Sequence, residues 1–599
     1  MSNADANRRA AAWLRDLEAA LARGDVSATL ALFADDECFW RDMVAFTWNI
    51  RTMEGKEQIA AFLTTTLADT APGSFRIEGD SRDADGVTEA RFTFETKVAA
   101  GRGFLRLKGD RGWTMLTTAQ ALKGFEEKCG PARDKGVEHG VHRDRTTWLE
   151  RRTEEEASLG YAQQPYCLII GGGQGGLALG ARLRRLDVPT LIVERNAHAG
   201  DSWRNRYRSL CLHDPVWYDH MPYLPFPDHW PVFSPKDKIG DWLEMYAKIM
   251  ELNLWTSTEC RSARYDEARK EWSVVVDRAG ESVTLRPKQL VLATGMSGVP
   301  EMPRFPGADR FRGEQCHSSR FTSGANYAGR RCVIIGSNNS AHDICADLWE
   351  HDADVTMVQR SPTVVARSES LMELAQGPLY SEAALANGVT TDIADLTVAS
   401  LPHRVAPRRA TKVYQEILRR DRDLYERLDK VGFLYSFGED GSGIHAKYVR
   451  RGSGYYIDVG ACELVANGSI KLKSRVTVEH LTETSVVLTD GTELPADLVV
   501  YATGYGSMNG WAAKLISQDV ADKVGKCWGV GSDTAKDPGP WEGELRNMWK
   551  PTQQEALWFQ GGNLMQARFY SLILALQIKA REAGLPTPVY GLQAVHHLS

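Results

Sequence analysis

The sequence predicts an α/β protein with two parallel sheets and a separate α+β segment in front of them. Two observations predict the parallel sheets: an apolar strand leads into a glycine-rich turn at Gly171, and another does so at Gly336. A third observation distinguishes residues 1–125: predicted helices come first there, and strands in which apolar and polar residues alternate follow. Parallel sheets alternate strands with helices, so the two patterns indicate different domains.

Residues 1–125 are predicted to form a small α+β cone domain. An apolar helical face covers 13–21, a strand covers 38–42, a second helix covers 55–63, and apolar and polar residues alternate over 90–95. This layout, with Trp40-Arg41-Asp42, resembles the nuclear-transport-factor-like (SnoaL-like) and ketosteroid-isomerase superfamily. No tyrosine occurs before residue 150 to act as an oxyanion donor, and Asp42 is one of the few acid–base candidates. We therefore expect a packing or substrate-gating domain that rests on the α/β part of the chain or on a second subunit.

The first glycine-rich turn reads Gly171-Gly172-Gly173-Gln174-Gly175-Gly176 and precedes a helix predicted over 177–186. Its GxGxxG spacing predicts a dinucleotide site: Gly171 makes the bend, Gly173 admits a pyrophosphate, and Gly176 lets the helix approach the sheet. The strand 190–193 ends at Glu194, where a carboxylate accepts hydrogen bonds from an adenosine ribose. Two such turns in one chain predict a flavin and a nicotinamide together.

The second turn has Asn338 and Ala341 where glycines usually stand. We expect Asn338 to tolerate a left-handed backbone and Ala341 to add only a methyl group, so that a phosphate cradle is retained. The next strand, 354–358, leads to Arg360 instead of an acidic residue, which suits the 2′-phosphate of NADPH unless Arg360 is a solvated surface residue. The candidate NADP-binding residues are Gly336, Ser337, Asn338, Asn339, Ser340, Arg360 and Ser361.

Four further motifs accompany the turns. They are Phe311-Arg312-Gly313 leading to His317, Leu292-Ala293-Thr294-Gly295, Tyr501-Ala502-Thr503-Gly504-Tyr505, and Gly561-Gly562-Asn563-Leu564. Over about residues 165–585 this set resembles class B flavoprotein monooxygenases, the flavin-containing and Baeyer–Villiger superfamily. Phe321 and Thr322 match the continuation of neither branch, so the subclass stays open. Arg360 is then the main argument for NADPH, with some tolerance for NADH.

The resemblance implies two dinucleotide-binding (Rossmann-like) domains, with the FAD domain discontinuous. The expected division is the cone at 1–125, a linker at 126–160, the FAD domain at 161–308 and 496–599, and the NADPH domain at 309–495. The linker is expected on the surface because it is charged and rich in breaks. The implied FAD-binding residues are Gly171, Gly173, Gly176, Glu194, Trp203, Arg206, Thr503, Gly504, Gly562 and Asn563.

His213, Asp214 and Arg451 are the candidate catalytic residues. The resemblance places Trp203 as an apolar plane beneath the flavin, Arg206 near the pyrophosphate, and His213 facing the reactive edge of the ring. Trp203 as a core residue and His213 as a structural histidine are the alternatives. Arg451 corresponds to the arginine with which Baeyer–Villiger enzymes stabilise a peroxide anion, or is a solvated loop residue.

The implied activity is an NADPH- and O₂-dependent monooxygenase. A C4a-(hydro)peroxyflavin would oxygenate soft sulfur or nitrogen atoms of small organic substrates and also ketones, by Baeyer–Villiger oxidation. Leu212-His213 also resembles the auxin-forming branch of plants, so oxidative decarboxylation of a 2-oxo acid such as indole-3-pyruvate is an alternative. A flavin reductase that supplies electrons to a partner protein and a non-catalytic flavin sensor are alternatives of other classes.

Composition excludes several partners. The net charge is -6 without a basic block, which argues against nucleic acid and anionic membranes. The 10 cysteines include no CxxC pair and no metal-ligand spacing, which argues for reduced thiols, no metal, and against a flavin disulfide reductase. No long apolar run occurs, so a cytoplasmic enzyme with a small-molecule substrate and O₂ is expected. A homodimer is compatible with the sequence.

Overall fold

The computed structural model describes residues 3–136, 140–296 and 298–596. The N-terminal part packs three helices against one seven-stranded sheet, ordered β2-β1-β7-β6-β5-β3 with β4 beside β5. Its elements are α1 (Asn3–Ala22), α2 (Val26–Ala31), β1 (Phe39–Met43), β2 (Ile50–Glu54), α3 (Gly55–Thr70), β3 (Gly73–Ile77), β4 (Arg82–Ala84), β5 (Val87–Glu95), β6 (Ala99–Lys108) and β7 (Arg111–Leu122). The predicted alternation in β5 is confirmed, because Ala90, Phe92 and Phe94 are buried while Glu95 is exposed.

The segment after the sheet contains more structure than a linker. Helix α4 (Trp148–Ser158) lies within the predicted linker, and its Arg152 is 9% exposed. Arg152 donates from Nη1 to Asn253 Oδ1 at 2.6 Å and from Nη2 to the Leu252 carbonyl at 2.7 Å. Arg152 is one of the charged residues on which the prediction of a surface linker was based, and it fixes α4 to the following part of the chain.

The elements of the middle of the chain follow in two groups. The first is β8 (Cys167–Ile170), α5 (Gln174–Arg185), β9 (Thr190–Val193), α6 (Asp201–Arg204), α7 (Lys236–Ile249), β10 (Leu254–Trp255), β11 (Thr258–Asp266), β12 (Glu271–Arg278), β13 (Glu281–Leu285) and β14 (Gln289–Leu292). The second is β15 (Glu314–His317), β16 (Arg331–Ile335), α8 (Asn339–Glu350), β17 (Asp354–Gln359), β18 (Thr363–Arg367), α9 (Ser368–Leu371), α10 (Glu382–Ala386), α11 (Thr391–Ala399), α12 (Ala406–Arg420) and α13 (Arg422–Lys430).

The remaining elements follow in the C-terminal part of the chain. They are β19 (Tyr435–Ser436), α14 (Ile444–Arg451), β20 (Tyr455–Asp458), α15 (Ala461–Ala466), β21 (Lys471–Ser474), β22 (Val478–Leu481), β23 (Ser485–Leu488), β24 (Glu493–Pro495), β25 (Leu498–Tyr501), α16 (Asn509–Leu515), α17 (Gln518–Val524), β26 (Leu557–Phe559) and α18 (Leu564–Glu582). Among the described helices, none has the length and apolar character that crossing a membrane requires.

Two five-stranded parallel sheets carry the glycine-rich turns. The first is ordered β10-β9-β8-β14-β26 and the second β15-β25-β16-β17-β21. The strand order reverses between β8 and β14 in the first sheet and between β16 and β25 in the second. Open parallel sheets bind their ligands at such reversals. The mixed α/β fold therefore fits a dinucleotide-binding flavoprotein, while the division into five domains stays a prediction.

A buried ion pair joins the N-terminal sheet to the C-terminal part of the chain. Arg41, in β1, donates from Nε and Nη2 to the two carboxylate oxygens of Glu544 at 2.7 and 2.6 Å. Thr52 donates to the same carboxylate at 2.6 Å, and Arg41 also donates to the Ala399 carbonyl at 2.5 Å. Both charged side chains are 3% exposed. The sheet is thus held by a bidentate pair that water does not reach.

Asp42, the residue after Arg41, makes its hydrogen bonds within the N-terminal part. Its carboxylate accepts hydrogen bonds from the Thr117 and Thr47 hydroxyls, both at 2.7 Å, and from the backbone N–H groups of Phe46 and Thr47 at 3.1 and 3.0 Å. Burial raises the pKa of Asp42 to about 6. These bonds fix the segment after β1 to β7 and occupy the lone pairs that a catalytic base would need.

Candidate active site

In the first turn, the structure leaves no room for a side chain at Gly171 and Gly176 but leaves space at Gly173. Gly171 has φ +113°, and a Cβ added there would lie 2.4 Å from the Ala293 carbonyl oxygen. A Cβ at Gly176 would lie 1.9 Å from the Gly171 carbonyl oxygen, so α5 packs directly on the turn. At Gly173 the nearest atom is Ser202 Oγ, 3.6 Å away. The space therefore lies at the helix N-terminus, where a phosphate group can approach backbone N–H groups.

Glu194 lies at the end of β9 and bonds to the turn itself. Its Oε2 accepts from the Gly172 N–H at 2.7 Å, and its Oε1 accepts from the Asn196 N–H at 2.9 Å. The residue is 7% exposed. Asn196 Nδ2 also donates to Oε1 at 2.6 Å, so of about four acceptor positions one remains, on Oε2, for a ribose hydroxyl. The predicted acidic residue therefore stands beside the predicted turn.

Side chains connect the first turn to the start of α18. Gln174 donates from Nε2 to the Gly562 carbonyl at 3.4 Å and accepts from Trp203 Nε1 at 3.2 Å. Asn563 caps α18 and donates from Nδ2 to the Tyr218 hydroxyl at 3.0 Å. The structure thus brings Trp203, Gly562 and Asn563 together with the first turn, although they lie far apart in the sequence.

Two tyrosines at this place were missed by the sequence analysis. The Tyr448 hydroxyl donates to Gln566 Oε1 at 2.6 Å, and Tyr218 contacts Asn563. Burial raises the pKa of both phenols well above the ordinary value, with the charge of Asp214 adding to the effect, so both stay protonated at neutral pH. Tyr218 lies four residues after Asp214 in the segment already singled out, and that proximity was the available signal.

Asp214 lies close enough to these tyrosines for its charge to affect both, and His213 precedes it in the chain. Asp214 accepts from Gln376 Nε2 at 2.6 Å, and His213 Nε2 is 3.9 Å from Asp214 Oδ2. The His213 side chain is 34% exposed. Both side chains are partly exposed, and the structure groups Asp214, but not His213, with Tyr218.

The second turn repeats the construction of the first. Gly336 has φ +131°, and a Cβ there would lie 2.4 Å from the Ala502 carbonyl oxygen. The left-handed backbone expected for Asn338 is wrong: its φ is −100°, because it is the extended N-cap residue of α8. Thr363 donates to Asn338 Oδ1 at 3.3 Å and to the Ser337 carbonyl at 2.8 Å, so β18 holds the turn.

The remaining residues of the second turn have different surroundings. Asn339 Oδ1 accepts from the Ile457 N–H at 3.1 Å, and Ser340 is half-buried. Arg360 and Ser361 are exposed immediately after β17. Among the described residues, none forms an ion pair with Arg360. Its guanidinium is therefore available to a phosphate at the edge of the second sheet.

Four predicted residues lie near the ends of β15 and β25 in the second sheet. His317 donates from Nε2 to the Gly504 carbonyl at 3.0 Å, and its Nδ1 accepts from the Ser319 N–H at 3.1 Å. Burial lowers the pKa of His317, and the charge of Arg206 lowers it further. The Thr503 hydroxyl donates to the Glu301 carbonyl at 2.5 Å. Arg206, expected near the FAD pyrophosphate, thus also lies close to the second sheet.

Arg451 is neither a solvated loop residue nor a free cation. It ends α14, is 25% exposed, and donates from Nη2 to Glu439 Oε1 at 2.8 Å. The same carboxylate pairs with Lys447 at 2.9 Å and with Arg450 at 3.3 Å. Burial opposes the charge of Glu439, but the bond from Lys447 and the neighbouring cations lower its pKa to about 2. Glu439 therefore stays ionised and holds Arg451.

Comparison with known proteins agrees with this geometry. Residues 168–383 match the family described as pyridine nucleotide-disulphide oxidoreductase. Indole-3-pyruvate monooxygenase YUCCA1 of Oryza sativa subsp. japonica is 30% identical over 366 residues, which are 60% of this chain and 82% of the relative. The chain belongs to the flavin monooxygenase family. Probable indole-3-pyruvate monooxygenase YUCCA9 of Arabidopsis thaliana is 28% identical over 344 residues, 57% of this monooxygenase and 75% of the relative.

A solved structure supports the fold of this monooxygenase. Oxidized steroid monooxygenase bound to NADP has a TM-score of 0.50 and 19% identity, and covers 71% of this chain and 89% of that one. The protein is an FAD- and NADPH-dependent enzyme of this family. The described cysteines are all free.

The residues present fit both cofactors. Thr294 Oγ1, after β14, and Gln560 Oε1, after β26, are buried without a partner at the edge where the first turn lies. Arg206 Nε and the Tyr505 hydroxyl are likewise unpartnered beside His317. Buried polar groups without partners are rare in proteins, so ligand atoms are the expected partners at these places. No group of three or more metal-binding side chains occurs among the described residues.

Proposed function

We propose that this monooxygenase oxygenates soft sulfur or nitrogen atoms of small organic substrates. FAD, when bound, supplies the oxygen activation. The first turn and Glu194 would hold its adenosine diphosphate half, and Gly562 and Asn563 would contact its ring. The proposed substrate position is beside Asn563, between Tyr218 and Tyr448, with Asp214 close to both phenols.

The protein side chains have three tasks in this proposal. Tyr448 and Gln566 fix the start of α18, since the phenol is protonated and its bond is 2.6 Å long. Trp528 donates from Nε1 to the Tyr448 carbonyl at 2.7 Å and covers this region from water. Arg360 and Ser361, with the turn 336–340, would bind the phosphates of NADPH.

The ion pair between Glu439 and Arg451 carries the choice of heteroatoms over ketones. Baeyer–Villiger oxidation needs a cation beside the reactive oxygen, and the bond to Glu439 restrains the Arg451 guanidinium here. Glu439→Gln should therefore raise the ratio of ketone to thioether oxidation, whereas Asp440→Asn, which affects the bond to Arg450, should leave it unchanged. An unchanged ratio in Glu439→Gln would remove Arg451 from the site.

Oxidative decarboxylation of indole-3-pyruvate is the second candidate, and the names of the two plant relatives favour it. Holoenzyme with NADPH and isotopically labelled O₂ should be given methyl phenyl sulfide, cyclohexanone and indole-3-pyruvate in turn. We expect labelled sulfoxide as the main product. Indole-3-acetate without sulfoxide would favour the second candidate. NADPH consumption with hydrogen peroxide alone would indicate a reductase.

A further inference from the structure

A buried network of hydrogen bonds connects α11 to α18 beside the proposed substrate position, and no step of the proposed function uses it. Its central members are Asp395, in α11, and Arg568, in α18, whose side chains are 3% and 5% exposed. Arg568 donates from Nε to Asp395 Oδ2 at 2.8 Å and from Nη2 to Asp395 Oδ1 at 2.9 Å. The carboxylate and the guanidinium therefore form a bidentate pair in the interior, within about two helical turns of Asn563.

The third nitrogen of Arg568 holds an irregular segment of the chain, residues 217–220. Arg568 Nη1 donates to the Tyr218 carbonyl at 2.9 Å and to the His220 carbonyl at 2.7 Å. Within the described part of the chain, neither carbonyl accepts a backbone hydrogen bond. Carbonyl groups that no backbone N–H reaches need another donor when they leave water. The position of this segment therefore depends on where Asp395 holds the guanidinium.

Asp395 also acts on the Tyr218 ring. The Tyr380 hydroxyl donates to Asp395 Oδ1 at 2.8 Å, and the Tyr380 ring meets the Tyr218 ring edge-on with centroids 4.8 Å apart. Tyr380 and Ala394 belong to an apolar cluster against which Tyr218 packs. At its far end, the Tyr218 hydroxyl accepts from Asn563 Nδ2 at 3.0 Å. One carboxylate therefore fixes both the backbone and the ring of the residue that contacts Asn563.

Two further contacts, nearer the surface, hold the ends of the same segment. Trp217 donates from Nε1 to Glu382 Oε2, in α10, at 3.1 Å, and Glu382 is exposed. His220 Nε2 lies 3.1 Å from the hydroxyl oxygen of Thr391, the first residue of α11, and both residues are half-buried. Water can replace such contacts, whereas the bonds through Arg568 are enclosed.

The neighbouring charges leave Arg568 paired with Asp395. Burial opposes the charge of Arg568, but Asp395 raises its pKa above the ordinary value. Asp219, in the same irregular segment, is 3% exposed, and its Oδ2 has no hydrogen-bond partner among the described residues. Burial, with the charge of Asp214, raises the pKa of Asp219 well above the ordinary range, which favours its neutral form. Asp395 is thus the carboxylate that compensates the buried guanidinium.

We propose that Asp395 is a positioning residue of this monooxygenase, acting through Arg568 and Tyr380. It holds the Tyr218 hydroxyl against Asn563, and the inference rests on the proposed function because it takes the substrate to lie there. A Tyr218 that leaves this place admits water. Each NADPH then reduces one O₂ to hydrogen peroxide, instead of one oxygen atom entering the product and the other leaving as water. Asp395 should therefore govern how much of the NADPH consumed yields product.

Asp395→Asn in full-length, FAD-loaded enzyme tests the proposal. With NADPH, O₂ and methyl phenyl sulfide, we expect the ratio of sulfoxide to hydrogen peroxide to fall by roughly 10–100-fold, the range that a small misplacement beside the reacting atoms produces. The rate at which NADPH reduces the flavin without oxygen should remain that of wild type, because the bonds of Asp395 do not involve the second turn. An unchanged ratio in a folded, flavin-loaded variant would overturn the proposal.

A milder variant tests the same network even where Asp395→Asn does not fold. Tyr380→Phe removes one of the three side-chain hydrogen bonds to Asp395 and keeps the buried charges paired. We expect the ratio of sulfoxide to hydrogen peroxide to fall by about 2- to 10-fold, the effect of one hydrogen bond. The same ratio as in wild type would count against the proposal.

Glu89→Gln is the matched control for a general loss of stability. Glu89 is a 5% exposed carboxylate in the N-terminal sheet and accepts from Arg106 Nε at 2.8 Å. The variant should lower the unfolding temperature and leave the product ratio unchanged. A ratio that falls as far as in Asp395→Asn would show that stability, not positioning, sets it, and the proposal would fail.

Hydrogen exchange separates this inference from the proposed function. Asp395→Asn should speed amide exchange in residues 217–220 relative to wild type, and Glu89→Gln should not. Faster exchange there with an unchanged product ratio would overturn the inference. Failure of the proposed function is a different result: wild-type enzyme would yield hydrogen peroxide and no sulfoxide.

Discussion

Removing the guanidinium of Arg41 should loosen the N-terminal sheet from the rest of the enzyme. In Arg41→Met, Glu544 keeps its hydrogen bond from Thr52 and loses both bonds from Arg41. Breaking a buried pair from one side costs about 3–5 kcal/mol. For a unit of the size of this part, we expect the first unfolding transition to fall by roughly 10 °C. Differential scanning calorimetry of holoenzyme measures it.

The stability lost in Arg41→Met should become smaller as the pH falls. Burial opposes the charge of Glu544, but Arg41 and His403 lower its pKa to about 2. Its contribution to stability is therefore present above the ordinary glutamate pKa, about 4.3, and is lost as pH falls through about 2. Without Arg41, burial raises the pKa of Glu544, and protonation relieves the unpaired charge. The deficit of Arg41→Met relative to wild type should shrink between pH 7 and about pH 5.

Two further variants decide whether this reasoning holds. Arg41→Met with Glu544→Leu should recover much of the loss, because no buried charge is then left alone. Arg312→Met removes an ion pair whose side chains are 73% and 57% exposed, and should leave the transition unchanged. An unchanged transition in Arg41→Met, or a double variant less stable than the single one, would refute the account.

Three more predictions concern the cofactor sites and the N-terminal part. Gly173→Val should fold with wild-type stability but lose most of its FAD, measured by visible absorbance, because the turn is open at that position until a pyrophosphate enters; full flavin content would contradict this. Arg360→Ala should raise the KM for NADPH by about 10–100-fold and leave that for NADH unchanged, since a charge-assisted pair contributes about 1.5–3 kcal/mol; equal changes would reassign Arg360. Asp42→Asn should lower the unfolding temperature but keep turnover per flavin, because its hydrogen bonds are internal to the N-terminal part; lost turnover at full flavin loading would make the cone catalytic.

The cofactor turns could be predicted from sequence because each is a local pattern. Gly171 and Gly336 stand between an apolar strand and a helix, and only backbone geometry decides their role. The left-handed prediction for Asn338 was wrong because a helix N-cap requires an extended residue, a requirement that the glycine pattern of the family conceals.

The ion pairs could not be predicted in the same way. Arg451 and Glu439 are 12 positions apart, and several other charged residues lie within that distance. Arg41 and Glu544 are 503 positions apart, and the segment that contains Arg41 gives no indication of Glu544 as its partner. A linear pattern shows which residues carry charge but not which of them the packing of separate elements brings into contact. The two tyrosines beside Asn563 were missed for the same reason.

The construction of the second turn has a consequence for enzyme engineering. A Cβ at Gly336 would collide with the Ala502 carbonyl, and Gln359, which is buried, bonds through its side chain to both backbone groups of Leu434. Arg360 and Ser361, by contrast, project into solvent. A designer who wishes to exchange the preferred coenzyme should therefore randomise these two positions and leave the turn itself untouched. Substitutions at Arg360 and Ser361 alter coenzyme recognition, whereas substitutions in the turn alter folding.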